Sequence, residues 1–210
     1  MGVGALRVFN DDRIVAGAEW PLHPHQDIES LTYVVAGDFL HADSLGNNGH
    51  LEPGAAQVMT FSHRGDLHSE KNGSKDDAMR FIQFWILPSV RGLETRVQQR
   101  QYRLEDRTDR WLQIMGPAGT DGLDLAQDAR ALVAHPTPST LRQARPRSRP
   151  DRIDVAPGKY HNGARVVRLV AARGSSDGSL RGPAARDTNR PGASRPRLGR
   201  GRSRRRRPLD

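Results

Sequence analysis

Apolar and polar positions alternate in short runs over residues 5–115, and glycine, proline and asparagine separate the runs. A period of two marks strands that bury one face. Leu6-Arg7-Val8-Phe9 reads as the first strand, closed by Asn10-Asp11-Asp12, with Asp11-Asp12 as a turn pair. Ser30-Leu31-Thr32-Tyr33-Val34-Val35 is β-branched and aromatic, and Gly37-Asp38 turns it into a strand that begins at Phe39 and carries His41. Gly46-Asn47-Asn48-Gly49 and Pro53-Gly54 are strong turn signals. Residues 57–61, 68–70, 80–87 and 111–115 supply further strands, while residues 92–107 are polar and read as a connection with one helical turn. Short strands with this punctuation predict an all-β fold, a sandwich or barrel.

Charge redraws the last third of the chain. The 210 residues carry a net charge of +9. Residues 141–210 hold 20 basic and 5 acidic residues, a net +15, which leaves −6 for residues 1–140. Leu, Ile, Val and Phe number only 10 of those 70 residues, and Tyr160 is their one aromatic. So polar a segment buries too little apolar surface to offset its ordering entropy. The expected organisation is a β domain over 1–115, a connecting stretch over 116–140, and a disordered Arg/Gly/Pro-rich tail over 141–210. Two origins fit the abrupt change: a genuine basic tail, or a GC-rich gene read out of frame beyond about residue 136. Arg204-Arg205-Arg206-Arg207 would attract any polyanion, but without stacking aromatics no specific nucleic-acid recognition is expected.

Other classes drop out. No apolar run approaches the roughly 18 residues of a membrane-spanning helix, and the first ten residues lack a secretory pattern. A cytoplasmic monomer without membrane association is therefore expected. The chain has no cysteine, which removes disulfides, thiolate metal sites and cysteine nucleophiles.

Histidines and carboxylates must then carry any site chemistry. In His23-Pro24-His25 the two imidazoles are two residues apart, so on a strand they point to one side. His68-Ser69-Glu70 repeats the device with an imidazole and a carboxylate. A lone His-x-His on a surface strand is commonly just solvated. Two such pairs on neighbouring strands would instead converge on one interior point. Three neutral nitrogens and one carboxylate suit Fe(II), Mn, Ni, Cu or Zn and leave positions open, as catalytic sites do. His41 is expected to face the interior as a hydrogen-bonding neighbour, and His50 and His63 to be solvated beside turns. Trp20, Phe81, Trp85 and Trp111 read as core, with Trp20 also placed to line the mouth of the site.

Gly17-x5-His23-x-His25-x3-Glu29…Gly37 and His68-x3-Asn72 resemble the two cupin motifs. More narrowly, Leu6-Arg7-Val8-Phe9-Asn10-Asp11-Asp12, Leu31-Thr32-Tyr33-Val34, His41-x-Asp43-Ser44-x-Gly46, Pro53-Gly54 and His68-Ser69-Glu70 resemble pirin, a bicupin family. The resemblance runs to about residue 134. It implies a cupin β-barrel, an incomplete bicupin in which residues 116–140 begin the second half. It also implies one non-haem metal, iron(II) most often, with ligands matching His23, His25, His68 and Glu70; Glu29 ranks second as the carboxylate.

Two activities follow from the resemblance. One is a quercetin 2,3-dioxygenase on flavonol-like substrates, in which Glu70, as ligand or displaced base, takes a hydroxyl proton. The other is a non-catalytic redox- or iron-sensing protein that binds a protein partner. The sequence departs from the family pattern in a late start, in the unrelated last third, and in a segment ahead of His68 that is one residue longer. An extra residue within a strand would turn His68 and Glu70 to the wrong face.

Overall fold

The computed structural model describes residues 4–138 and 140, and the backbone of residues 152–155 and 166–171. Fourteen strands are described, in three sheets. The central sheet has the order β1-β8-β3-β6-β9, from β1 (Leu6–Ile14), β8 (Met79–Ile86), β3 (Ile28–Ala36), β6 (Ala55–Phe61) and β9 (Arg96–Gln101). A four-stranded sheet, β2-β7-β4-β5, comprises β2 (Glu19–His25), β7 (Asp66–Asn72), β4 (Phe39–Asp43) and β5 (Asn48–Leu51). The third, β11-β10-β12-β14-β13, comprises β11 (Leu123–Leu125), β10 (Leu112–Pro117), β12 (Ala129–Ala134), β14 (Val166–Ala171) and β13 (Arg152–Val155).

Alternation along the central strands gives the layering. Leu31, Tyr33, Ile82 and Phe84 turn to the third sheet and pack with Ile114, Met115, Leu125 and Val133. The intervening Val34 and Phe81 turn the other way and pack with Phe39, Leu51 and Met79. The central sheet is thus covered on both faces, which is why β3 is buried at nearly every position. The four-stranded sheet closes over the central one as a β-barrel, with apolar side chains filling one end.

Several segments differ from the sequence-based expectation. Asn10, Asp11 and Asp12 continue β1 instead of closing it. The carboxylate of Asp11 accepts two hydrogen bonds from Arg80 across the β1–β8 pair, at 2.7 and 2.5 Å, so a charged residue sits paired in mid-strand. β9 occupies part of the expected connection; Val97 is its one apolar residue, so no period was visible, and pairing to β6 along its length defines it. The expected helical turn is a short 3-10 helix at Glu105–Arg107. β10 runs across residue 115, and Leu123, Leu125, Ala129 and Val133 join the core beneath the central sheet, so packing shows no break between 1–115 and 116–134. Most of the expected disordered tail lies outside the described residues, as does the question of its reading frame. At ten of its positions the chain forms strands instead: β14 (Val166–Ala171), aliphatic apart from Arg168, pairs with β12, and β13 pairs with β14.

The longer segment ahead of His68 is absorbed in a turn. β6 ends at Phe61 and β7 begins at Asp66. Gly65 takes φ +84°, a conformation that glycine adopts without strain, and donates to the Ser62 carbonyl at 3.2 Å. Asp66 locks the turn by accepting from the Ser62 backbone (2.6 Å) and the Thr95 hydroxyl (2.7 Å). At the far end of β7, the buried Asn72 side chain donates to the carbonyls of Val15 (3.1 Å) and Asp77 (2.8 Å). The strand carrying His68 and Glu70 is therefore pinned at both ends.

Glu29 serves the fold. It shares the face of β3 with Leu31 and Tyr33 and accepts from the Ala126 backbone (2.9 Å) and the Thr60 hydroxyl (3.2 Å). Burial raises its pKa, against these hydrogen bonds and the Arg96 charge. It ties the central sheet to the third one on the side away from the imidazoles. Glu29→Ala should cost about 1–3 kcal/mol of unfolding free energy, because the Ala126 N–H loses its acceptor. Denaturant unfolding measures that loss, and equilibrium dialysis should find metal stoichiometry unchanged.

Candidate metal centre

β2 is an edge strand paired with β7, and their register sets His23 opposite His68 and Trp20 opposite Glu70. The pairing is irregular between Trp20 and His23, where β2 carries one residue more than β7. Such a bulge re-aims side chains, and here it keeps Trp20 and His23 on the inner face together. Trp20 packs edge-on against Phe81 at 5.9 Å. On the other side of β7, β4 sets His41 opposite Glu70 and Asp43 opposite His68.

The imidazoles of His23, His25 and His68 converge. One ring nitrogen from each lies within 4.8 Å of those of the other two. Ring centroids are 4.5 Å apart for His23–His68, 4.9 Å for His23–His25 and 5.0 Å for His25–His68. Phe61 walls the group at 4.8 Å from His25 and 5.0 Å from His68, and Trp85 packs on His25 at 4.6 Å. The Nδ1–H of His23 donates to the Pro21 carbonyl at 2.8 Å, which sets the tautomer and leaves Nε2 with a free lone pair.

Glu70 shares the inner face of β7 with His68 but stands outside the mutually close group. Its Oε1 accepts from Gln83 Nε2 at 2.7 Å.

Burial dominates the electrostatics. It lowers the pKa of His25 to about 4, with the His23 charge adding to it, and that of His68 to about 2, with His23, His25 and His41 adding. Both rings are neutral at physiological pH, the form that binds metals. Burial raises Glu70 to about 7; the Gln83 hydrogen bond opposes the rise and the Asp12 charge assists it. His25 Nε2 and both ring nitrogens of His68 are buried without a hydrogen-bond partner. Such unpartnered ring nitrogens on the neutral His25 and His68, turned toward one another and His23, fit a divalent transition metal.

Sequence reasoning anticipated the His pairs but not their surroundings. His41 is buried beside His68, 5.6 Å between rings, with neither nitrogen partnered. His50 and His63 are solvent-facing and pair with Asp38 (3.4 Å) and Asp27 (2.8 Å). Trp111 is partly exposed and not core, and Trp20 is exposed beside the site. Gln83 and Trp85 were missed as site residues. The usable signal was one uncharged polar side chain inside the apolar run of β8, a strand buried on both faces. Among the described residues no helix is long and apolar enough to cross a membrane.

Known proteins share this fold. The chain is similar to the quercetin 2,3-dioxygenase of Escherichia coli K12, 40% identical over 129 residues, or 61% of this chain and 54% of that protein. It thus spans about half the length of the curated relatives it matches. The crystal structure of bacterial pirin YhhW from Escherichia coli in complex with nickel(II) superposes with a TM-score of 0.60 at 27% identity, over 82% of this chain and 76% of that one. A quercetin 2,3-dioxygenase from Acinetobacter baumannii shares the fold, with a TM-score of 0.52 at 14% identity over 81% and 72% of the two chains. Residues 1–86 match the family model described as Pirin, and that stretch lies within a cupin β-barrel bearing a three-imidazole group of metal-ligand type.

Proposed function

We propose that this protein is a metal-dependent dioxygenase of the quercetin 2,3-dioxygenase type, with iron(II) held by His23, His25, His68 and Glu70 and a flavonol-like substrate. The observation that carries this reading is the convergence of three imidazoles, His68 buried and His23 and His25 partly so, beside a carboxylate whose proton affinity burial raises to near neutrality. Mn, Ni, Cu and Zn suit the same nitrogen and oxygen donors. When bound, the metal would supply a Lewis acid and a template that brings the substrate's oxygens and O₂ together.

The protein's own part follows from the side chains. His23 offers Nε2 because Pro21 holds its other nitrogen. Phe61 and Trp85 hold His25 in place and keep water from its flank. Glu70 takes the proton of the substrate hydroxyl, a transfer suited to a base with a pKa near the working pH. Trp20, exposed beside the site, offers an aromatic surface at its edge.

Two measurements test this reading. Iron-loaded protein should consume quercetin and O₂ together, and His23→Ala and Glu70→Ala should each lower the rate at least a hundredfold. Stoichiometric metal binding without turnover would favour the sensing protein; turnover unchanged in both variants would reject the site. Metal affinity should also depend on pH in a definite direction. Below about pH 7 Glu70 binds a proton that the metal must displace, whereas His25 and His68 release none above about pH 4. Affinity measured against a competing chelator should therefore level off above about pH 7 and fall roughly tenfold per unit below it.

A further inference from the structure

We propose that Gln83, with its amide orientation fixed by Trp85, is a positioning residue that holds the Glu70 carboxylate by one oxygen and leaves the other for the metal. This rests on the metal-centre reading above and adds to it a device on the opposite sheet.

The geometry leaves little freedom. Gln83 and Trp85 are two residues apart on β8 and both turn into the barrel. Trp85 Nε1–H donates to Gln83 Oε1 at 3.0 Å. An indole nitrogen only donates, so the amide oxygen must face it. The amide nitrogen therefore faces the other way, where it donates to Glu70 Oε1 at 2.7 Å and, more weakly, to the Thr32 hydroxyl at 3.4 Å. Were the amide reversed, its oxygen would oppose a carboxylate oxygen and its nitrogen would oppose an N–H. Both contacts would be repulsive. Glu70 Oε2 has no protein partner among the described residues. The same Trp85 ring packs on His25. One side chain of β8 thus braces an imidazole from β2 and, through Gln83, a carboxylate from β7. Outer hydrogen bonds of this kind orient metal ligands, and their loss typically lowers metal affinity by about 10- to 100-fold.

The test uses Co(II), whose visible bands report coordination, on the full chain. Wild type should bind one Co(II). Gln83→Leu should bind it 10- to 100-fold more weakly, with altered bands. Trp85→Phe, which keeps a ring on His25 and removes only the N–H, should weaken binding in the same direction. Combined with Gln83→Leu it should add nothing, because it acts through that amide. In a Glu70→Ala background, Gln83→Leu should have no further effect, whereas a general packing defect would persist there. Additive losses, or affinities and spectra equal to wild type, would overturn the proposal and leave the metal centre standing. Failure of the wild type to bind Co(II) would overturn both. The melting temperatures of the metal-free variants give the control for folding.

Discussion

The pairing of β2 with β7 is the constraint on which the site depends. His23 and His25 lie on one strand, His68 and Glu70 on another, and only their register makes them one group. A slip of β2 by one residue would turn His23 and His25 outward, away from His68. The structure fixes this register at several points. The turn at residues 62–65 is clamped by Asp66, the end of β7 is tied by Asn72, and the bulge in β2 takes up its extra residue. None of these side chains needs to touch a metal, and together they set where the imidazoles and Glu70 point.

The barrel interior is divided along its length. At one end Val34, Phe39, Leu51, Met79 and Phe81 make a dry apolar plug. At the other, neutral imidazoles, Glu70 and Gln83 are buried with several polar atoms unpartnered. Each buried polar group without a partner costs about 1–3 kcal/mol. The apolar cores on both faces of the central sheet supply the stability that lets the fold carry such a cluster. A divalent ion would offset the cost by engaging the lone pairs that burial leaves unsatisfied.

The sequence made some of this legible and hid the rest for identifiable reasons. His23-Pro24-His25 and His68-Ser69-Glu70 were readable because a two-residue spacing fixes facing on any strand. That the two strands are neighbours was not in the spacing, and came only from resemblance. β9 was hidden because a polar edge strand has no apolar period, and Asp11-Asp12 resembled a turn because Arg80, which pairs with Asp11 across the sheet, is 69 residues away. Glu29 looked like a ligand by motif, yet its place on β3 turns it to the third sheet. The roles of Gln83 and Trp85 depend on hydrogen-bond direction, which no pattern of residue types records.

X-ray absorption at the metal edge of the iron-loaded protein tests the central claim most directly, because it counts the atoms around the ion. The account predicts three imidazole nitrogens with oxygen completing the shell, and two imidazoles after His68→Ala. A shell without imidazole scattering, or one identical in His68→Ala and wild type, would contradict it.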